Sequence, residues 1–102
     1  MKEIISKINK VFENKVRLGI MSVLAVNSTL DFKALKELLG VTDGNLSSNI
    51  SVLEKKKYIT VKKKFINKKS NTSFSITKAG KEAFKDHVDV LEELIKEHKG
   101  EW

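Results

Sequence analysis

The side chains in this sequence with the greatest capacity for chemistry are lysines, and they are unevenly placed. Residues 54 to 81 hold ten basic side chains and one acidic one, a local charge of +9, whereas residues 1 to 53 stand at +2 and residues 82 to 102 at −4. A field that dense calls for an anionic surface, because clustered charge steers a polyanion toward it. The competing reading is a solvated lysine face, since 19 of the 20 basic residues are lysine. A second unusual stretch lies just before the lysines. Six of the nine residues from Gly44 to Val52 are Gly, Asn or Ser, types that form helix less well than Ala, Glu or Lys. Small hydrogen-bonding side chains let a helix approach a grooved surface and offer donors and acceptors to base edges and phosphates.

Catalysis finds little support. No glycine-rich phosphate loop and no paired histidine and carboxylate motif is present, and Asp43 stands alone beside the small polar stretch. The absence of cysteine removes disulfides, thiolate zinc sites and cysteine nucleophiles. His87 and His98 lie three turns apart on one stripe, too far to share a metal within one helix, and a structural or pH-sensing role is commoner for such residues. The expectation is therefore no enzyme, no cofactor and no metal. With 102 residues, 40% of them apolar, residues 1–102 fit one domain, which buries roughly 60 to 65% of its unfolded surface and has little room for a deep cleft. The longest apolar run, Ile20 to Val26, is broken by Ser22 and is far below the ~20 residues that cross a bilayer. Membrane binding is not expected either, since the lysines do not face an apolar helix stripe. The opening MKEIISKINK has no apolar h-region or cleavage site, so the expected location is the cytoplasm.

The elements that must position these residues follow from periodicity. Ile4, Ile5, Ile8, Val11 and Phe12 repeat at three- and four-residue spacing, which predicts one helical stripe. Val16, Ile20, Val23 and Leu24 predict a second helix, capped by Asn14 and ending near Asn27. A two- or three-residue strand follows, and Asp31 caps a turn whose apolar face is Phe32, Leu35, Leu38 and Leu39. Gly40 stops that helix, and Thr42 caps the next, in which Leu46, Ile50 and Leu53 form the inward face. Asp31 to Lys57 thus reads as helix, tight turn, helix. Ile59, Val61 and Phe65 alternate with Thr60, Lys62 and Lys64, as in a strand with one wet face. Turn formers at Asn67 to Asn71 and a strand from Thr72 to Ile76 complete a hairpin with lysines at its tip. Thr77 caps a last helix, along which Phe84, His87, Val88, Leu91, Leu94, Ile95 and His98 have the spacing of a short heptad seam.

In that order and composition the chain resembles the winged helix-turn-helix transcriptional regulators. The stretch LKELLGVTDGNLSSNISVLEKKKYITVKKKF looks like the recognition unit and first wing strand of the MarR-like branch, and SFSITKAGKEAF is similar to its second wing strand and following helix. The fold class expected is mainly α with a small β-hairpin, a winged helix core at 14–80 flanked by helices at 1–13 and 81–99. The resemblance implies a DNA-binding regulator, a repressor in the first instance, with one helix in the major groove and the hairpin on the backbone or minor groove. It marks Gly44, Asn45, Ser47, Ser48 and Ser51 as base or phosphate contacts, with Thr42 and Lys55 at the ends of the same helix. In the hairpin it marks Lys62, Lys64, Lys68, Lys69 and Asn71. Arg17, the sole arginine, matches a position that either supports the recognition helix or touches phosphate. Lysines stand where many relatives place arginine at the hairpin tip, which points to backbone contact there.

The resemblance also implies a homodimer on a palindromic site of double-stranded DNA. Ile4, Ile8 and Phe12 at one end, and Phe84, Val88, Leu91, Leu94 and Ile95 at the other, are the candidate contacts, although the first stripe could equally pack within one chain. The alternative function is a winged helix module that binds an acidic protein. MarR-like relatives often bind small molecules, but the short connections here leave little room for a pocket, and an effector is left open.

Overall fold

A computed structural model describes residues 1–97. Helix α1, Lys2–Ser6, is followed by a 3₁₀ turn at Lys10–Glu13, then by α2, Lys15–Val26, and the two-residue strand β1, Leu30–Asp31. Helices α3, Phe32–Leu39, and α4, Asp43–Lys55, precede the hairpin of β2, Ile59–Ile66, and β3, Lys69–Ile76, and α5 spans Lys78–Glu97. The three strands form an antiparallel sheet in the order β1-β3-β2. No described helix is long and apolar enough to cross a membrane.

Local chemistry accounts for most of the boundaries. The Asn14 side chain accepts from the amides of Val16 and Arg17 at 2.9 and 3.1 Å, Asp31 from Ala34 at 2.8 Å and Thr42 from Asn45 at 3.2 Å. Each satisfies an amide that has no partner within its own helix. Gly40 adopts φ 62°, ψ 41° and its amide donates to the Lys36 carbonyl, the left-handed stop that glycine reaches without a steric clash. Past the end of α4 a left-handed residue also occurs, here Lys57 at φ 63°. There the Tyr58 amide donates to the Leu53 carbonyl and the Lys57 amide to that of Glu54.

The core joins Ile20, Met21 and Leu24 of α2 to Leu35 of α3, Leu46 and Leu53 of α4, and Ile59 and Phe74 of the sheet. Leu38, expected on the inner face of α3, is 60% exposed, because Leu35 and Leu39 already fill the contact with the core. At the amino terminus the single expected helix is broken. Asn9 is the cause: its side chain accepts from the Val11 amide at 3.0 Å and donates to the Tyr58 hydroxyl at 3.2 Å, while its backbone amide donates to His87 Nδ1 at 3.4 Å. Those tertiary bonds replace a helical turn. Phe12, expected as a dimer contact, is a core residue at 2% exposure, its ring against Tyr58, Phe84 and His87 at centroid distances of 5.6, 5.9 and 5.2 Å. Val11 and Phe12 of the first stripe therefore serve the chain's own interior, Ile5 stays 53% exposed, and α1 packs on α5.

The wing is longer and its turn tighter than the pattern suggested. Strand β3 begins at Lys69, so only Asn67 and Lys68 turn, at φ 51° and 65°. Two left-handed residues in a two-residue loop match the right-handed twist of the flanking strands. Lys69 and Asn71 are thus strand residues.

Two outcomes follow. A Cβ at Gly80 would fall on the Tyr58 carbonyl oxygen, which already accepts from the Thr77 amide at 3.0 Å. Gly80→Ala should destabilise by about 1 to 3 kcal/mol, read as a lower urea midpoint, and an unchanged midpoint would refute the tight approach. The second concerns His87, held below its ordinary 6.5 by burial, against a smaller opposing pull from Glu13. The unfolded chain therefore binds a proton that the folded chain resists. Stability from this site is present above about 6.5, is lost as pH falls through that value, and the loss levels off below the folded value. His87→Gln should flatten that segment of a stability–pH curve.

Candidate nucleic-acid interface

Helix α4 is seated by one face. Leu46 and Leu53 are wholly buried and Ile50 nearly so, so the i, i+4, i+7 stripe is consumed against α2 and the sheet. The opposite side carries what was expected of it: Gly44, Asn45, Ser47, Ser48, Ser51 and Lys55 are all exposed, as is the cap Thr42. Asp43, in the first turn, is held 2.7 Å from Lys36 Nζ of α3. Both partners are exposed, so the pair adds at most about 1 kcal/mol.

Asn49 is the residue the sequence reading missed. It is 6% exposed and fully bonded: its Oδ1 accepts from Arg17 Nη1 at 2.9 Å, and its Nδ2 donates to the Asn45 carbonyl at 2.9 Å and to Asn45 Oδ1 at 2.6 Å. Arg17 Nε donates in turn to the Val11 carbonyl at 2.6 Å. The guanidinium thus links the 3₁₀ turn, α2 and α4, and the chain of bonds ends on Asn45, at the exposed surface. Of the two roles open to Arg17, these bonds fit the first: the guanidinium holds α4 through Asn49. Among the described residues no buried side-chain nitrogen or oxygen lacks a partner.

The wing register decides which lysines face α4. Residues directly opposite in an antiparallel pair share a face, so Val61 and Phe74, Lys63 and Thr72, and Phe65 and Ser70 point one way. An open groove of about 320 Å³ between α4 and the wing is lined by Ser47, Ile50, Ser51 and Glu54 on one side and by Val61, Lys63, Thr72 and Phe74 on the other. The α4-facing side of the wing therefore carries Lys63 and Phe65. Lys62 and Lys64, with their partners Ser73 and Asn71, lie on the other face, and Asn71 is half-buried. Lys68 is in the turn, and Lys69 pairs with Ile66. All five lysines from Lys62 to Lys69 are exposed. Lys63 and Glu54 were absent from the expected set; strand parity was the signal for Lys63, which falls two residues after Val61.

The candidate dimer contacts separate into groups. Val88, Leu91 and Ile95 are 43, 36 and 58% exposed along α5. Ile4, Ile8, Phe84 and Leu94 are half-buried, whereas Val90, outside the expected seam, is buried. His98 lies outside the described residues. Against the expectation of little room for a pocket, an open hollow of about 440 Å³ lies between α2 and α5, lined by Ala25, Phe84, Lys78, Lys81, Lys85 and Glu82.

Comparison with known proteins agrees with this geometry. A family model described as a winged helix DNA-binding domain matches residues 16–95. An uncharacterized protein of Methanocaldococcus jannaschii is 34% identical over 87 residues, covering 85% of this chain and 95% of that protein. The structure of a transcriptional regulator homologue from Pyrococcus horikoshii superposes with a TM-score of 0.82 at 34% identity, covering 93% of this chain and 92% of that one. The YusO protein of Bacillus subtilis shares the fold, with a TM-score of 0.73 at 15% identity over 95% of this chain and 71% of that one.

The Arg17 bonds lead to a discriminating experiment. Arg17→Ala strands Asn49 Oδ1 and the Val11 carbonyl, so it should lower stability by about 1 to 3 kcal/mol in urea unfolding. As a positioning residue it should also weaken duplex binding with the salt dependence unchanged. A phosphate ligand would instead reduce the slope of log K against log salt by about 0.9, and that result would move Arg17 to the second role.

Proposed function

The chain belongs to the winged helix DNA-binding family, and from that premise we propose that it is a transcriptional regulator acting on a palindromic site in double-stranded DNA as a homodimer. The observation that carries this reading is the continuity of one surface. The small polar face of α4 adjoins an open groove whose far wall is the wing, with Lys63 on it, and an α-helix has the width that a major groove admits. In the major groove Gly44 lets the start of α4 approach closely, and Asn45, Ser47, Ser48 and Ser51 offer short donors and acceptors to base edges. Lys55 and the wing lysines supply phosphate contacts, which position the protein and set its affinity without reading sequence. Glu54, facing the groove, is suited to accept from a cytosine amino group.

The exposed stripe Val88, Leu91 and Ile95 supports the dimer, since three large apolar side chains in register on one helix face gain by burial against a second copy. Two recognition helices would then sit about one helical turn, ~34 Å, apart. A dimer spanning both half-sites excludes other proteins from them, which favours repression as its mode of action.

The measurement is fluorescence anisotropy with a labelled generic duplex across a salt series. With roughly six phosphates neutralised, log K should fall with log salt at a slope of about −5, and Lys68→Ala with Lys69→Ala should reduce that slope by nearly 2. A slope near zero overturns the reading. If an acidic protein is the true partner, the lysine variant would weaken its binding while Ser47→Ala with Ser48→Ala left it unchanged.

A further inference from the structure

Phe65 is 83% exposed, an unusual position for an aromatic ring on a small domain. It lies one residue before the end of β2, on the wing face that looks toward α4. It lies four positions beyond half-buried Val61, which places it about 13 Å farther along the strand at a rise of about 3.3 Å per residue. Its surroundings are cationic: Lys63 precedes it on the same face, Lys64 adjoins it, and Lys68 and Lys69 lie across the turn. No acidic residue occurs between Glu54 and Glu82.

We infer that Phe65 is an apolar wedge that enters the minor groove of duplex DNA next to the recognition helix and opens a base step there. The inference rests on the DNA-binding reading above and adds a residue and a deformation to it. A lysine-lined hairpin held against phosphates carries whatever projects from its α4-facing side toward the bases. An apolar ring has no use for phosphate but gains by stacking against an unstacked base pair, the device by which minor-groove proteins kink DNA. A second copy of this chain is a poor occupant, because the same lysines would meet their own kind. The energetic cost of opening a step is least at flexible pyrimidine–purine sequences, so the wedge predicts a preference for TA steps at positions that no side chain reads by hydrogen bonding.

The test uses the full chain and two end-labelled generic duplexes, one with central TA steps and one with a central A-tract, with 2-aminopurine beside the TA step. The wild-type protein should shorten the end-to-end distance of the TA duplex and raise 2-aminopurine fluorescence. Phe65→Ser should abolish both signals and weaken binding to that duplex roughly tenfold, with the salt slope unchanged. Phe65→Leu, still apolar, should restore part of the bending. Phe65 lies outside the core cluster, so all three proteins should unfold at the same urea concentration. If Phe65→Ser bends and unstacks the TA duplex as the wild type does, the wedge is refuted. A concurrent loss of self-association in sedimentation, or of adhesion to phosphatidylserine vesicles, would then identify what the ring contacts instead. If the wild type shows no anisotropy change on either duplex, the DNA-binding reading itself fails, a result distinct from failure of the wedge alone.

Discussion

The seating of α4 on α2 is the constraint on which the rest of this structure depends. Its weak helix formers, Gly44, Asn45, Ser47, Ser48, Asn49 and Ser51, together cost about 3 kcal/mol relative to alanine. The helix exists because burial of Leu46, Ile50 and Leu53 offsets that cost, at roughly 1.5 to 3 kcal/mol for each side chain. Burial is non-directional, however, and would tolerate small rotations of α4 about its own axis. The hydrogen bonds from Arg17 to Asn49 and from Asn49 to Asn45 are directional, so they select one rotation. A helix anchored in this way can leave its other face small, polar and unpacked.

Elements governed by neighbours in sequence are legible in the sequence. Asn14, Asp31, Thr42 and Thr77 cap helices as read, and Gly40 ends α3, because each needs only amides or carbonyls within four residues. Elements governed by distant partners are not. Asn9 interrupts the first stripe because of His87 and Tyr58, and nothing local announces either. Asn49 looked like one more small polar residue of α4, yet its partner stands 32 positions away. For β2 the alternation was right and its meaning incomplete. Beyond Val61 the inward face outruns the core and becomes one wall of the α4 groove, so Lys63 and not Lys62 looks toward α4.

Charge is sorted along the same architecture. The +9 of residues 54–81 sits mainly on the wing and at the end of α4, while α5 carries an acidic surface in which Lys85 pairs with Asp89 and Lys96 with Glu92 at 3.2 and 3.3 Å. These exposed i, i+4 pairs add only tenths of a kcal/mol each. The net charge of −4 over residues 82–102 gives this part of the chain a field opposite in sign to that of the wing. Helix α5 also carries two apolar stripes. One runs through Phe84 and His87, which pack on Phe12, to buried Val90, and the other, through Val88, Leu91 and Ile95, stays exposed. A helix that only closed the domain would need the first alone.

Orientation of the wing reduces to its two-residue turn. In a strand pair a slip of one residue sends every side chain to the opposite face, and with β2 exposed from Lys62 onward little burial opposes such a slip near the tip. The register there depends on Asn67 and Lys68 holding left-handed backbone, a conformation asparagine tolerates and lysine adopts at a cost of about 1 to 2 kcal/mol. Ile59 against Ile76 and Val61 against Phe74 fix the base of the hairpin, where those side chains meet the core. A two-residue turn admits one register compatible with that base. The left-handed backbone at Lys68 therefore fixes which face Lys63 and Phe65 occupy: it keeps both on the side of α4, and a longer, relaxed loop would release them from it.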